Sequence, residues 1–215
     1  MYKGRVSMVA PKVKDRPILS DEEFDSFLAA VDREKDEFMR LRNGCVLCLL
    51  WKTGKRNSEV RELLRENVNV KEDGFVDVTF RLLKKRRHET ATKTLQADKY
   101  TGYVTRYLHF HDVEFKEVKH LFPSVIFNQE GIADFEDKAM TRQTLRNIVK
   151  RYSPTGWPHL FRETQGAKIV REDPTIIGVF KVKRRLDLEG ELTAFRYLER
   201  YASDLISAEE GSAKT

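Results

Sequence analysis

Cysteine is scarce. Cys45 and Cys48 are the only two in 215 residues, which excludes a disulfide-stapled scaffold and leaves one C-x-x-C without the second pair that a structural zinc site wants. Both lie in the apolar run GCVLCLLW, so reduced, buried thiols are expected. Long apolar runs are missing as well: none approaches 18 residues, and the opening MYKGRVSMVAPKVKDRP lacks the apolar core of a signal peptide. Membrane insertion and export are therefore not expected, and a cytoplasmic location is. There is no internal repeat and no low-complexity segment. Neither sign of charge dominates, since 40 Lys and Arg stand against 34 Asp and Glu, and the net +6 is one a globular protein carries without any polyanionic partner. What is present is 40% hydrophobic and 10% aromatic content, too apolar for a disordered chain, over a length that suits one domain with its own core.

The charge is unevenly spread. Residues 1–17 hold Lys3, Arg5, Lys12, Lys14 and Arg16 against Asp15, and residues 81–93 hold Arg81, Lys84, Lys85, Arg86, Arg87 and Lys93 against Glu89. Basic residues recur in Arg142, Arg146, Lys150 and Arg151 and again in Lys181, Lys183, Arg184 and Arg185, while acid gathers at Asp21, Glu22, Glu23 and Asp25. Such asymmetry suits one face on phosphates, and it equally suits solvated lysine-rich surfaces.

Local pattern predicts mainly helix. In ILSDEEFDSFLAAV, Ser20 is placed to cap with Glu23 three residues on, ahead of Phe24, Phe27, Leu28 and Val31 at helical spacing. FMRLRNGCVLCLLWKTG predicts a centrally buried helix stopped by Gly54, and a third helix is expected from Asn57 or Ser58 through EVRELL. VDVTFRLL and TATKTLQA alternate as strands across the charged turn KKRRHE, a basic hairpin. A helix is expected within 97–120, ended by Pro123, and 141–152 is amphipathic with Leu145, Ile148, Val149 and Tyr152 on its apolar side. After SPTGWP, helices are expected from His159 to Arg171, from Pro174, and across LTAFRYLERYASDLI.

Four short segments carry groups capable of chemistry: the turn Thr53 to Glu59 with Arg56, the hairpin turn Lys84 to Arg87, Pro158 to Arg162 with His159 and Arg162 one helical turn apart, and Phe195 to Leu198 with Tyr197. Each alone has an ordinary reading as a capped turn, a solvated turn, a core histidine or a packed tyrosine. Their order, Arg, Lys, His-x-x-Arg, Tyr, resembles the catalytic domain of the tyrosine recombinases, the family of phage-type integrases and Xer-like recombinases. The resemblance runs from Leu19 to about Tyr201: LLWKTGKRNSEVRELLRENV is similar to the family's first arginine box, MTRQTLRNIVKRY with WPHLFRETQGA to the segment bearing its histidine and second arginine, and FRYLERY to its nucleophile segment, with Tyr201 as the spare tyrosine.

The resemblance implies a mainly α fold with a small antiparallel β-sheet (α+β), a basic arm or linker over 1–17, a catalytic domain over 18–205 and a flexible tail over 206–215. It implies a site-specific recombinase or integrase, acting on mobile or viral elements, that cleaves and rejoins double-stranded DNA through a 3′-phosphotyrosyl bond. No cofactor and no metal is implied, nor any metal role for His109, His111 and His120, of which the HFH pair is expected at the surface. The implied assembly is a homo-tetramer on DNA and a monomer or dimer when free, with nucleoid association. Two rival readings are a type IB-like topoisomerase and a degenerate relative kept as a DNA-binding module. Two departures stand out: RRLDLEGELTAFRY offers Asp187, Leu188, Glu189 and Gly190 where the family usually has a second histidine or a tryptophan, and Glu163 follows Arg162 where a histidine is common. Only 17 residues precede the catalytic region, so the sequence is either a minimal form or a catalytic domain cut from a longer chain.

Those residue types suit phosphodiester attack. Arginine stays cationic and donates two parallel hydrogen bonds to non-bridging oxygens, which makes Arg56 and Arg162 the clamp. A phenol with an ordinary pKa near 10 needs cations and a proton acceptor to attack, which suits the roles that the resemblance implies, Tyr197 as nucleophile and His159 for the proton. The departing oxygen needs a proton, for which Lys85, or Lys84 one residue away, is the general acid candidate. Lys84, Arg86, Arg87, Arg142, Arg146 and Lys150 are the expected DNA-backbone contacts.

Overall fold

The computed structural model describes residues 18–83, 89–128, 131–153 and 159–203. Helix α1 (Asp21–Asp32) begins as the sequence predicts: Ser20 Oγ accepts from the Glu23 amide at 3.1 Å, and Glu23 Oε2 accepts from the Ser20 amide at 2.8 Å. Its apolar stripe, Phe24, Phe27, Leu28 and Val31, is buried. Helix α2 (Glu37–Thr53) is capped by Asp36 and is buried on every side from Arg42 to Trp51, Cys45 and Cys48 included, because α1, α4 (Lys99–Glu114), α5 (Arg142–Tyr152) and α6 (Leu160–Glu172) all pack around it. Gly54 ends it at φ +61°, where a Cβ would fall 2.8 Å from Leu186. Phe24 stacks on Trp51 at 4.4 Å between ring centres, fixing α1 to α2.

Helix α3 (Asn57–Arg61) is shorter than expected and starts one residue earlier, with Arg56 rather than Asn57 or Ser58 at the cap. The reason is Glu59, whose carboxylate reaches back to the Arg56 amide as a third-position acceptor. Strands β1 (Val68–Val70), β2 (Val76–Arg81) and β3 (Thr90–Leu95) form an antiparallel sheet in that order, with Val78 opposite Lys93 and Phe80 opposite Ala91. The predicted basic hairpin is therefore present as β2–β3, and its turn residues Lys84, Lys85, Arg86 and Arg87 lie outside the described residues.

The stretch after the sheet departs from the sequence reading. Helix α4 stops at Phe115, not at Pro123, because Phe115 turns into an aromatic cluster with Phe38, Phe110 and Phe135. Pro123 instead opens β4 (Pro123–Asn128), which pairs antiparallel with β5 (Gly131–Ala139); a first strand position tolerates proline as well as a helix end does. His111 is buried, not at the surface, and its Nε2 meets the His120 carbonyl at 3.0 Å. Burial holds its pKa below the ordinary 6.5. Stability contributed by the neutral ring is present above pH 6.5 and is lost as pH falls from there through the folded-state value. In His111→Gln the fall in unfolding free energy between pH 6.5 and 5 should shrink; titration curves parallel to wild type would show that another group causes it.

Helix α6 joins two cores. Leu160 and Phe161 enter the main core around α2, while Ala167 and Val170 enter a second core with α7 (Ile176–Arg185) and α8 (Glu191–Tyr201), made of Val179, Val182, Leu186, Ala194, Tyr197 and Tyr201. The first turn of α6, the start of α3 and the α7–α8 turn meet where these cores adjoin.

Candidate active site

Arg56 leaves the α2–α3 turn with its guanidinium aimed by one buried carboxylate. Its amide donates to Glu59 Oε2 and its Nη1 to Glu59 Oε1, both at 2.9 Å, and the side chain remains 18% exposed. Arg162 lies in the first turn of α6, almost fully enclosed. Nη1 donates to the Gly54 carbonyl at 2.9 Å and Nη2 to the Leu186 carbonyl at 2.5 Å. These bonds use two of the five donors of a guanidinium and tie the turn after α2 to the turn after α7. Burial, and then the like charge of Arg56, lower the Arg162 pKa; Tyr197, Glu59 and Asp187 act the other way. The group stays cationic, since a guanidinium keeps its proton in proteins. Two arginines far apart in sequence are thus brought to adjoining turns, since the Gly54 carbonyl that Arg162 holds lies two residues before Arg56.

Tyr197 is buried, and its ring lies against Gly166, one helical turn beyond Arg162: a Cβ on Gly166 would fall 2.3 Å from ring atoms Cδ1 and Cε1. That glycine is what lets α8 approach α6 so closely. His159 is the N-cap residue of α6, exposed, and one turn before Arg162. Tyr201, the spare tyrosine, is differently placed. Its hydroxyl donates to Glu163 Oε2 at 2.8 Å, the same oxygen that accepts from Arg200 Nη1 at 3.1 Å. Burial and the carboxylate push its pKa up, because a phenolate there would face a second negative charge. The glutamate that replaces the expected histidine is therefore the anchor of α8 on α6.

Sequence reading gave no site role to three residues that the structure brings here. Lys55 is enclosed, its Nζ 2.7 Å from Asp187 Oδ2 and 4.8 Å from the centre of the Phe80 ring; Lys93 Nζ lies 3.3 Å from Asp187 Oδ1. Asp187 itself takes φ +48°, a left-handed conformation rare outside glycine. Removing one member of a buried pair of this kind costs about 3–5 kcal/mol. Only Lys93 left a readable signal, since strand alternation puts it on the same face as Ala91 and Leu95. Leu188, in the place of the expected donor, packs its side chain into the second core.

On α5, Arg142, Arg146 and Lys150 are exposed opposite buried Leu145, Ile148 and Val149. Arg151 leaves this set: its Nε lies 2.7 Å from Glu34 Oε1. Lys181 and Lys183 are paired with Asp173 and Glu191. Among the described residues no group of three or more His, Cys, Asp or Glu is arranged to hold a metal, and no helix is long and apolar enough to cross a membrane.

A mainly helical body with small antiparallel sheets matches the tyrosine recombinase catalytic fold. Solved structures bear this out. The chain is similar to the XerH site-specific recombinase in its post-cleavage complex with palindromic difH substrate (TM-score 0.69, 18% identity, 91% of this chain and 53% of that one) and to XerA recombinase (TM-score 0.62, 16% identity, 92% and 65%). It spans about half the length of the XerH chain. The pattern of the phage integrase family matches residues 17–175, and the chain belongs to that family. No curated protein matches it.

Proposed function

We propose that this chain is the catalytic unit of a site-specific DNA recombinase that cleaves and rejoins one strand at a time through Tyr197. The observation that carries the reading is that Arg162 bonds the Gly54 carbonyl, two residues before Arg56, while the Tyr197 ring lies against Gly166, one helical turn beyond Arg162. In this mechanism the two guanidiniums hold the non-bridging oxygens of one phosphate, and the Tyr197 oxygen forms a bond to phosphorus as the 5′-oxygen departs. His159 takes the phenol proton. A lysine of the β2–β3 turn, Lys85 or Lys84, protonates the leaving oxygen. The phosphotyrosyl bond keeps the energy of the cleaved one, so a second DNA hydroxyl reverses the step without an external energy source. Membership of the phage integrase family supports recombination as the class of activity, and the XerH complexes with difH substrate support DNA as the partner.

The direct test is incubation with nicked suicide duplexes carrying the flanks of the encoding locus, with a covalent protein–DNA adduct as the expected product. DNA binding with no adduct on any such duplex would favour the DNA-binding module, to which the apolar Leu188 points. Relaxation of supercoiled DNA without site choice would favour the topoisomerase.

The exposed cations of α5 make a separate prediction. Each phosphate neutralised adds about 0.9 to the slope of log K against log salt. The triple variant Arg142→Ala, Arg146→Ala, Lys150→Ala should therefore lower that slope by about 2–3, measured by fluorescence anisotropy across a salt series. An unchanged slope would remove α5 from the DNA face.

A further inference from the structure

Lys55, Asp187 and Lys93 take no part in the chemistry above, yet they form an ion cluster beside it. The Lys55 side chain is 0% exposed and Asp187 is 16% exposed, so the pair is not a solvated surface contact. Its position in the chain is what matters. Gly54 immediately precedes Lys55 and Leu186 immediately precedes Asp187, and the carbonyls of Gly54 and Leu186 are the acceptors of the Arg162 fork. The same two turns are thus joined twice, once through the backbone by Arg162 and once through side chains by Lys55 and Asp187. Lys93 adds a third tie, bonding Asp187 at 3.3 Å and the Arg184 carbonyl at 3.2 Å, and so links strand β3 to the end of α7.

We propose that Lys55 and Asp187 are positioning residues for Arg162, setting the separation of the two carbonyls that orient its guanidinium. A planar guanidinium reaches two acceptors only over a narrow range of separations, because hydrogen bonds weaken steeply once stretched or bent. If the turns drift apart, Arg162 keeps one carbonyl and rotates, and its remaining donors no longer face a fixed point. Asp187 pays for its left-handed backbone with about 1–3 kcal/mol of strain in general terms, a conformation that the two lysines hold in place. Charge acts in the same sense, since Asp187 favours the protonated Arg162 against the repulsion of Arg56.

The inference rests on the strand-transfer reading, so its test includes an arm that needs no strand transfer. In the free protein, guanidinium ¹H–¹⁵N signals of Arg162, assigned with Arg162→Lys, should be sharp and in slow exchange. In Lys55→Met and in Asp187→Asn they should broaden or disappear at a temperature where both variants remain folded. At saturating DNA, adduct formation should slow by about a hundredfold, the loss that a displacement of about 1 Å brings, with DNA affinity changed less than threefold. The double variant Lys55→Met, Asp187→Asn removes both charges of the enclosed pair and leaves Lys93 its bond to the Arg184 carbonyl, so it should recover part of its melting temperature relative to either single variant while the rate stays low; a purely structural role would restore rate and melting temperature together. Should Lys55→Met fail to fold, Asp187→Asn carries the test, since asparagine tolerates the left-handed backbone and keeps an acceptor oxygen. Unaltered Arg162 signals with a wild-type rate in the folded variants would overturn the inference while leaving strand transfer standing. Loss of the signals in the variants of a protein that forms no adduct would support the positioning role and overturn the strand-transfer reading instead.

Discussion

Tyr197→Phe should form no covalent adduct with a nicked suicide duplex while binding the same DNA as wild type, and Tyr201→Phe should still form it. The contrast follows from the surroundings of the two phenols. The Tyr197 ring lies against Gly166, one helical turn beyond the buried Arg162 guanidinium, and a cation near a phenol favours attack by its oxygen. Tyr201 donates a hydrogen bond to the Glu163 carboxylate and is packed away from water, so ionising it would set two negative charges 2.8 Å apart. Losing the Tyr201 hydroxyl removes a hydrogen bond to a charged group, worth about 1.5–3 kcal/mol, and should appear as a lower melting temperature with the adduct retained. Gel mobility of radiolabelled DNA under denaturing conditions reads the adduct, and thermal unfolding reads the fold. An adduct that persists in Tyr197→Phe and vanishes in Tyr201→Phe would exchange the two roles.

Arg162→Ala should lower the rate of adduct formation by about 10²–10³-fold or more, the scale on which one preorganised donor to a developing oxyanion acts. It should also destabilise the protein, because the Gly54 and Leu186 carbonyls lose their partner in a buried setting at about 1–3 kcal/mol for each group. Arg162→Lys separates the two effects: it keeps one charge and loses the fork, so it should retain DNA binding, recover part of the stability and remain slow. Single-turnover kinetics at saturating DNA, beside equilibrium unfolding in urea, checks both. An Arg162→Lys protein as fast as wild type would mean that charge alone suffices and that the two-carbonyl geometry is incidental.

The parts of this protein legible in the sequence are those written in short spans. The capping box at Ser20 and Glu23, the all-round apolar middle of α2, the stop at Gly54, the alternation of β2 and β3 and the two faces of α5 each depend on residues within a turn or two, where helical and strand periods act directly. The same holds for the motifs that carry the family resemblance. Where two local readings compete, the sequence misleads: Pro123 suits a helix end and a strand start equally, and only the packing of Phe115 against Phe38 and Phe110 stops α4 early and frees Pro123 to open β4.

The arrangement of the site belongs to the tertiary structure. Sequence motifs name Arg56, Arg162 and Tyr197, but nothing local says that Arg162 is held by carbonyls 108 and 24 residues away, that the Tyr201 hydroxyl donates to Glu163, or that Lys55 pairs with Asp187 across 132 residues. The physical reason is that a buried charge must find its partner wherever packing brings one, and which partners meet depends on how α6 sits between two cores. Periodicity determines which face of a helix turns inward; only the assembled fold determines what it meets there.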